Sequence, residues 1–275
     1  MRFDPYLGGM STAAETFRRL HAGPELLILP NGWDAGSCRV IETLGAKAVA
    51  TSSAAVCWSH GYADGHHLPI ELLAQTVAEI TRVVSIPVTC DSEGGYADDP
   101  ATVGENIARI VGAGAVGINI EDGRETPELH AAKITAVRKA ADREGVPLFI
   151  NARTDVYLKR LAEPEAAVDE VLRRAAIYRD AGADGLFAPG VVIPAEISGI
   201  AAGCGLPLNV MARPGLPAGP ALQALGARRI SSATGLARAA LAALNAATAA
   251  FLATGDSDAL AAADTVGGDY NKLFN

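Results

Sequence analysis

The chain is short of positive charge. Lys plus Arg number 23 against 31 Asp plus Glu, a formal net charge of −8. That balance argues against nucleic acid or an anionic membrane as the main partner, since both need a basic face. It leaves room for a small anionic ligand held by a few local cations. Cysteine is also scarce. Cys38, Cys57, Cys90 and Cys204 form no Cys-x-x-Cys pair, which excludes a disulfide framework or a zinc site. No apolar run reaches the roughly 18 residues of a membrane span. The start, Met1-Arg2-Phe3-Asp4-Pro5, lacks the basic-then-apolar order of a signal peptide. A cytoplasmic protein with reduced thiols, no membrane and no nucleic acid is the expectation. No Gly-x-Gly-x-x-Gly follows the first apolar run, which removes the usual dinucleotide fingerprint.

What is present is repetition. Short apolar runs, at residues 26–31, 48–53, 87–93, 117–122, 147–153, 185–190, 207–212 and 229–234, read as strands. They are apolar throughout rather than alternating, as in parallel strands covered on both faces. Between them lie Ala-rich helical stretches, at about 34–44, 70–83, 100–113, 128–144, 163–181, 194–202, 217–225 and 235–253. Gly45, Gly145, Gly182 and Gly226 follow four of these stretches as helix stops, and Pro100, Pro164 and Pro194 sit near helix starts. Eight strand–helix units predict an α/β fold, a (β/α)8 TIM barrel, with residues 1–275 as one domain and 255–275 a C-terminal tail that is frayed or packed on a neighbouring subunit.

In such a barrel the site forms at the C-terminal strand ends. The predicted strand ends carry Thr51-Ser52-Ser53, Asp91-Ser92-Glu93, Glu121-Asp122 and Asn151-Ala152-Arg153-Thr154-Asp155, with Asn209 on the seventh strand. Asp91 and Glu93, two apart, are expected on one strand face, with Glu121 from the next strand beside them. Crowded carboxylates repel and raise each other's pKa, and a divalent cation relieves this. An all-oxygen set suits Mg²⁺ or Mn²⁺. Arg153 can hold a substrate carboxylate in a two-point clamp or balance Asp155 or Glu121. The small residues after Thr51 leave backbone N–H groups open to an anion.

Pro30-Asn31-Gly32-Trp33-Asp34-Ala35, Ala50-Thr51-Ser52-Ser53-Ala54, Asp91-Ser92-Glu93-Gly94-Gly95-Tyr96, Gly117-Ile118-Asn119-Ile120-Glu121-Asp122 and Asn151-Ala152-Arg153-Thr154-Asp155 together resemble the isocitrate lyase / phosphoenolpyruvate mutase superfamily. The resemblance implies a barrel, often with the last helix exchanged between subunits of a homodimer or homotetramer. It implies Mg²⁺ held directly by Asp91, and by Glu93 and Glu121 mainly through water. It implies a substrate contacted by Ser52, Ser53, Ala54, Asp91, Arg153 and Asn209, with Asp64 the acidic residue near the metal; Asp64 and Arg153 are the implied catalytic residues.

One departure narrows the reading. Isocitrate and methylisocitrate lyases carry Lys-Lys-Cys-Gly-His after the fourth strand, with the Cys as acid/base. Here the stretch is Asp122-Gly123-Arg124-Glu125-Thr126-Pro127-Glu128-Leu129-His130. His60, His66, His67 and Tyr96 are candidate replacements; Cys57 and Cys90 read as buried thiols, Cys90 on the opposite strand face from Asp91. The expected activity is a Mg²⁺-dependent carbon–carbon lyase or decarboxylase acting on a small 2-hydroxy or 2-oxo di- or tricarboxylic acid through an enolate. The alternative is a 2-oxo-acid binding protein, of 2-oxoglutarate or pyruvate type, with little turnover. A third reading places a phosphate on Ser232-Ala233-Thr234-Gly235.

Overall fold

The computed structural model describes residues 5–263 and 269–274. Nine strand segments form one parallel sheet: β1 (Leu27–Leu29), β2 (Asn31–Gly32), β3 (Val49–Thr51), β4 (Val88–Asp91), β5 (Gly117–Glu121), β6 (Phe149–Arg153), β7 (Gly185–Phe187), β8 (Leu208–Met211) and β9 (Arg229–Ser231). β1 pairs with β9 and β2 with β3. Only Pro30, which has no N–H to give a ladder, separates β1 from β2. They are one stave broken in two, so the sheet closes on itself with eight staves, as the spacing predicts.

Helices cover the outside. α2 (Ala35–Thr43), α4 (Ile70–Val83), α5 (Pro100–Gly112), α6 (Pro127–Arg143), α8 (Ala167–Asp180), α9 (Pro194–Gly203), α10 (Gly219–Ala224) and α11 (Gly235–Thr254) match the expected stretches. The stretch at 163–181 divides into a 3₁₀ turn (Pro164–Ala166) followed by α8. Asp34 and Ser37 form a reciprocal cap on α2, and Asp99 caps α5 with Pro100 in its first turn. Gly145 and Gly182 end their helices at φ 70° and 108°, which a side chain would strain.

Four helices escape the sequence pattern, three of them before the tail. α1 (Pro5–Ala22) plugs the N-terminal mouth: Phe17 and His21 pack on Phe149, and Arg18 donates to Asp184 at 2.7 Å. α3 (Ser53–Ser59) begins directly at the end of β3, and α7 (Val156–Lys159) follows β6. Beyond residue 255 the chain forms α12 (Ser257–Ala263) and a 3₁₀ turn (Tyr270–Leu273) whose Leu273 carbonyl accepts from Arg39 Nε at 2.6 Å, so the far part of the tail returns to its own barrel; residues 264–268 and 275 lie outside the described residues.

The strands prove to be alternating. Cys90, Ile118, Ile120, Ile150 and Ala152 point outward into the helix layer, where the main core lies. Asn119, Asn151, Asn209, Arg229 and Ser231 are buried polar residues in register between the strands. They bond to one another across the barrel: Asn151 Nδ2 donates to Asn119 Oδ1 at 2.8 Å and to Asn209 Oδ1 at 3.0 Å. A polar interior hidden by short strands makes these runs look uniformly apolar. One flank lacks cover. Ile28, on β1, is 69% exposed, and only Ala237 of α11 is buried. α11 is also long and apolar enough to cross a membrane by length and composition, which corrects the expectation that no segment passes that test.

Candidate active site

The site is built from the strand tips inward. Thr51, ending β3, accepts the Asp91 N–H on its Oγ1 at 2.8 Å. α3 then starts at once, and the Ser53 N–H donates to Asp91 Oδ2 at 3.0 Å. The Ser53 amide is therefore taken by Asp91 rather than left open for an anion, and the Ser52 N–H goes to the Gly32 carbonyl. Ser52, Ser53 and Ala54 are all buried beside Asp91.

Glu93 does not share a strand face with Asp91. β4 ends at Asp91, and Glu93 sits at φ 48° in a left-handed turn. The turn is held by Gly95 at φ 91°, where a Cβ would lie 2.5 Å from Val103. Glu93 accepts from the Tyr96 hydroxyl at 3.0 Å and from the His66 backbone N–H, and lies 4.0 Å from Cys57 Sγ. His66 Nε2 accepts from the Gly94 N–H at 2.9 Å. The loop after α3 is thus folded down onto the β4 turn, and it brings Asp64 with it. Burial and then the Asp91 charge push the Asp64 pKa up, against smaller lowering effects of Arg153 and Ser53.

Arg153 closes the other side. Its Nη1 lies 2.6 Å from Glu121 Oε2, across the β5–β6 register, and its Nε and Nη2 form a fork on Asp155 at 2.7 and 3.2 Å. Burial opposes the guanidinium charge, but Glu121, Asp155 and Asp91 raise its pKa further. Sequence reasoning offered these contacts only as an alternative to substrate binding; three of five N–H groups are engaged, leaving two. Asp155 is itself fixed from below. Its N–H donates to Asp122 Oδ1 at 2.8 Å, and Asp122 Oδ2 accepts from Tyr178 and Arg174 of α8 at 2.6 and 2.7 Å. The sequence missed this support because α8 is over fifty residues away and no local pattern links it to Asp122.

The carboxylates feel one another. Burial, with Asp91 and Asp155 adding to it and Arg153 opposing it, pushes Glu121 up to about 8. Burial also raises Glu93, against the bonds from His66 and Tyr96. Cys57 Sγ, Asp64 and Glu93 offer ligand atoms within 4.8 Å of one another, a group able to hold a metal ion. Burial and then Glu93 push the Cys57 thiol up to about 11, so it stays protonated and is a poor ligand. The remaining donors are oxygens whose mutual repulsion a hard divalent cation would relieve, and in that sense the residues fit one.

Two expectations are redirected. Asn209 is 1% exposed, and its amide is spent on Asn151, Val210, Arg229 and Ser231 inside the barrel rather than at the rim. The Ser232-Ala233-Thr234-Gly235 turn is no open phosphate cradle, because the Ala233 N–H donates to Asn31 Oδ1 and the Gly235 N–H to the Ser232 carbonyl. Cys90 lies in the helix-side core, as expected of its strand position. The short loop after β5 is pinned: Lys133, fully buried, bonds both Glu125 Oε1 at 2.5 Å and the Gly94 carbonyl at 3.2 Å.

Fold and site define a (β/α)8-barrel enzyme with an acidic centre at its strand tips. The sequence matches the phosphoenolpyruvate phosphomutase family over residues 17–252, and the chain belongs to that family, within the phosphoenolpyruvate mutase/isocitrate lyase superfamily. It is 34% identical over 225 residues to an uncharacterized protein of Mycobacterium tuberculosis, covering 79% of this chain and 81% of that one. It is 29% identical over 205 residues to an oxaloacetate decarboxylase of Rhodopseudomonas palustris, 70% of this chain and 69% of the relative. A crystal structure from Burkholderia cenocepacia J2315, described as a candidate phosphonomutase, superposes with a TM-score of 0.82 at 42% identity, covering 85% of this chain and 98% of that one. This kinship places the chain among carbon–carbon lyases.

Proposed function

We propose that the chain is a Mg²⁺-dependent lyase or decarboxylase, with Mn²⁺ as the alternative ion, acting on a small 2-oxo or 2-hydroxy di- or tricarboxylic acid. The observation that carries this is the meeting of Asp64, Asp91, Glu93 and Glu121 with Arg153 at one mouth of the barrel, where Asp91 raises Asp64 and Glu121, Asp64 raises Glu93, and Glu121 and Asp91 raise Arg153. Asp91 would hold the ion directly, and Glu93 and Glu121 through water. When bound, it would supply Lewis-acid stabilisation of a developing enolate oxygen.

The chain's own residues do the rest. The two free N–H groups of Arg153 orient the substrate carboxylate, and the Asp155 fork keeps the guanidinium from turning away. Ser52, Ser53 and Ala54 form the wall beside Asp91, and Asp64 closes the space from above. Cleavage of the C–C bond leaves its electron pair on the 2-oxo fragment as an enolate. Decarboxylation releases carbon dioxide and needs no base to deprotonate an alcohol, which suits a site without the loop Cys. Protonation of the enolate from water completes the reaction. The decarboxylase relative supports this branch.

The test is direct. Purified protein with Mg²⁺ and oxaloacetate, followed by NMR, should form pyruvate faster than the Mg²⁺ background, and EDTA should abolish the excess. Turnover that survives EDTA overturns the mechanism. Thermal stabilisation by 2-oxo acids with no consumption makes the chain a binding protein instead.

We also place the chain in the cytoplasm as a homodimer or homotetramer, with residues 1–275 as one barrel unit. A groove of about 650 Å³ lies beside Ile28, Ile41 and Leu44 on the uncovered flank, and α11 presents Leu241, Leu244 and Leu252 to solvent. An exposed apolar helix and an exposed apolar groove complement each other between copies. Sedimentation showing a monomer at micromolar concentration overturns that assignment.

A further inference from the structure

The rim carries a second cation beside Arg153. Lys159 ends α7, one turn beyond Asp155, and its Nζ lies 3.2 Å from Asp155 Oδ2. The same oxygen accepts from Arg153 Nη2 at 3.2 Å. One fully buried carboxylate thus holds a guanidinium and an ammonium side by side. The side chain of Lys159 is 36% exposed and that of Asp155 0%, and the ammonium, with three N–H groups, has donors to spare beyond this one pair. On its other side stands Gly123, just past the β5 tip, at φ 55°. A Cβ there would come within 3.1 Å of Lys159 Nζ. The ammonium charge also reaches Glu121, whose pKa it lowers. Lys159 therefore sits at the mouth that holds Arg153 and Glu121, in space that the backbone of the β5 loop leaves open.

An i, i+4 ion pair on a single helical turn is ordinarily surface decoration. Here the acid is already satisfied by a two-pronged guanidinium, so a further cation on the same oxygen has an unmet charge preference and donors left over. We infer that Lys159 reads the distal carboxylate of a short 2-oxo dicarboxylate whose other carboxylate rests on Arg153. This rests on the proposed function and names its substrate class. Two cations sharing one oxygen are neighbours, so the two carboxylates they bind must be separated by a short carbon bridge; a monocarboxylate would use Arg153 alone.

The experiment uses Mg²⁺-loaded protein with oxaloacetate as the dicarboxylate and pyruvate as a monocarboxylate inhibitor. Lys159→Gln should raise KM for oxaloacetate roughly tenfold to a hundredfold, the range for losing a charge-assisted bond. kcat should stay within about threefold, as expected when uniform binding is lost. The pyruvate inhibition constant should be unchanged, and Lys159→Arg should restore most of the KM. Circular dichroism and the melting curve check that each variant is folded. An unchanged oxaloacetate KM, or equal losses for oxaloacetate and pyruvate, overturns the role of Lys159 and leaves the proposed function standing. A wild-type protein that neither turns over oxaloacetate nor binds pyruvate overturns the proposed function, and this inference with it.

Discussion

The two mouths of the barrel use charge in opposite ways. At the C-terminal rim, Asp64, Asp91, Glu93 and Glu121 share one space, and Arg153 meets Glu121 and Asp155 there. Toward the N-terminal floor, Arg229 is 0% exposed and forms no ion pair among the described residues. Its Nη2 donates to Asn119 at 3.2 Å, while Nε and Nη1 have no partner among them. Burial pulls its pKa down to about 9. The intervening amides Asn119, Asn151 and Asn209 satisfy each other. The floor amides bond to their own kind and Arg229 stands apart from any acid, whereas at the rim the acids raise one another's pKa and share a single guanidinium. The difference agrees with exposure: Asp64 is exposed and Asp91, Glu121 and Arg153 are partly so, while Arg229 and the amides above it are buried.

That contrast can be broken by separating stability from activity. The largest expected effect is on the floor. Phe17 is fully buried against Phe149 and His21, and Phe17→Ala should cost about 3–5 kcal/mol of unfolding free energy. Urea unfolding measures it, and Mn²⁺ affinity of the folded variant should not move. At the rim the reverse holds. Arg153→Lys keeps a charge but loses the fork, and should lower kcat/KM about 10²–10³-fold. Its melting temperature should change little. A variant that loses stability and activity in proportion would erase the distinction.

The Arg229→Met variant sharpens the comparison further. A lone buried cation replaced by an apolar chain of similar length should leave stability unchanged or raise it by about 1–4 kcal/mol. Turnover should stay near wild type. A loss of stability comparable to that of Phe17→Ala would mean that the floor charge is structurally required.

The rim was legible in the sequence because it is local: acids and an arginine finish strands whose tips a barrel must gather. Asp91, Glu121 and Arg153 follow from that rule, and Asp64 was placed by family resemblance alone. Glu93 reached the same place for a different reason, a left-handed turn at φ 48° that strand alternation does not foresee. Asn209 was assigned to the rim because a strand position says little about height in a tilted barrel. The floor was illegible. α1 precedes the first strand, outside the strand–helix alternation, and makes sense only as a plug, and Arg229 reads as the polar start of an apolar run until the barrel closes around it. Asp122 was read with Glu121 as a rim acid, yet its carboxylate is turned to Tyr178 and Arg174, a contact between residues distant in the chain.

The smallest predicted effect follows from the opposite signs of the two mouths. Burial and then the Arg229 charge push His21, on the floor, down to about 3, so it is neutral when folded, and burial, which the Asp122 charge opposes, holds His130, packed on Tyr178 behind the rim, down at about 4. Their stabilising contribution is complete above the unfolded histidine pKa of roughly 6.5 and is lost as pH falls from there through the folded values. Glu121 is raised to about 8. Its contribution is complete below the unfolded value of roughly 4.3 and is lost as pH rises through 8. Metal-free protein in EDTA should therefore show a melting temperature that the two histidines pull down on the acid side and Glu121 on the alkaline side. Glu121→Gln should remove the loss that sets in above pH roughly 4.3 and runs through 8. His130→Leu should flatten only the acid limb. Saturating Mg²⁺ should lift the alkaline limb, because the ion favours deprotonated carboxylates, and leave the slope that the histidines produce. If Mg²⁺ changes the slope that His21 produces as much as the one that Glu121 produces, the acids at the rim and the floor histidine are not electrostatically separate, and the contrast between the mouths is not one of charge.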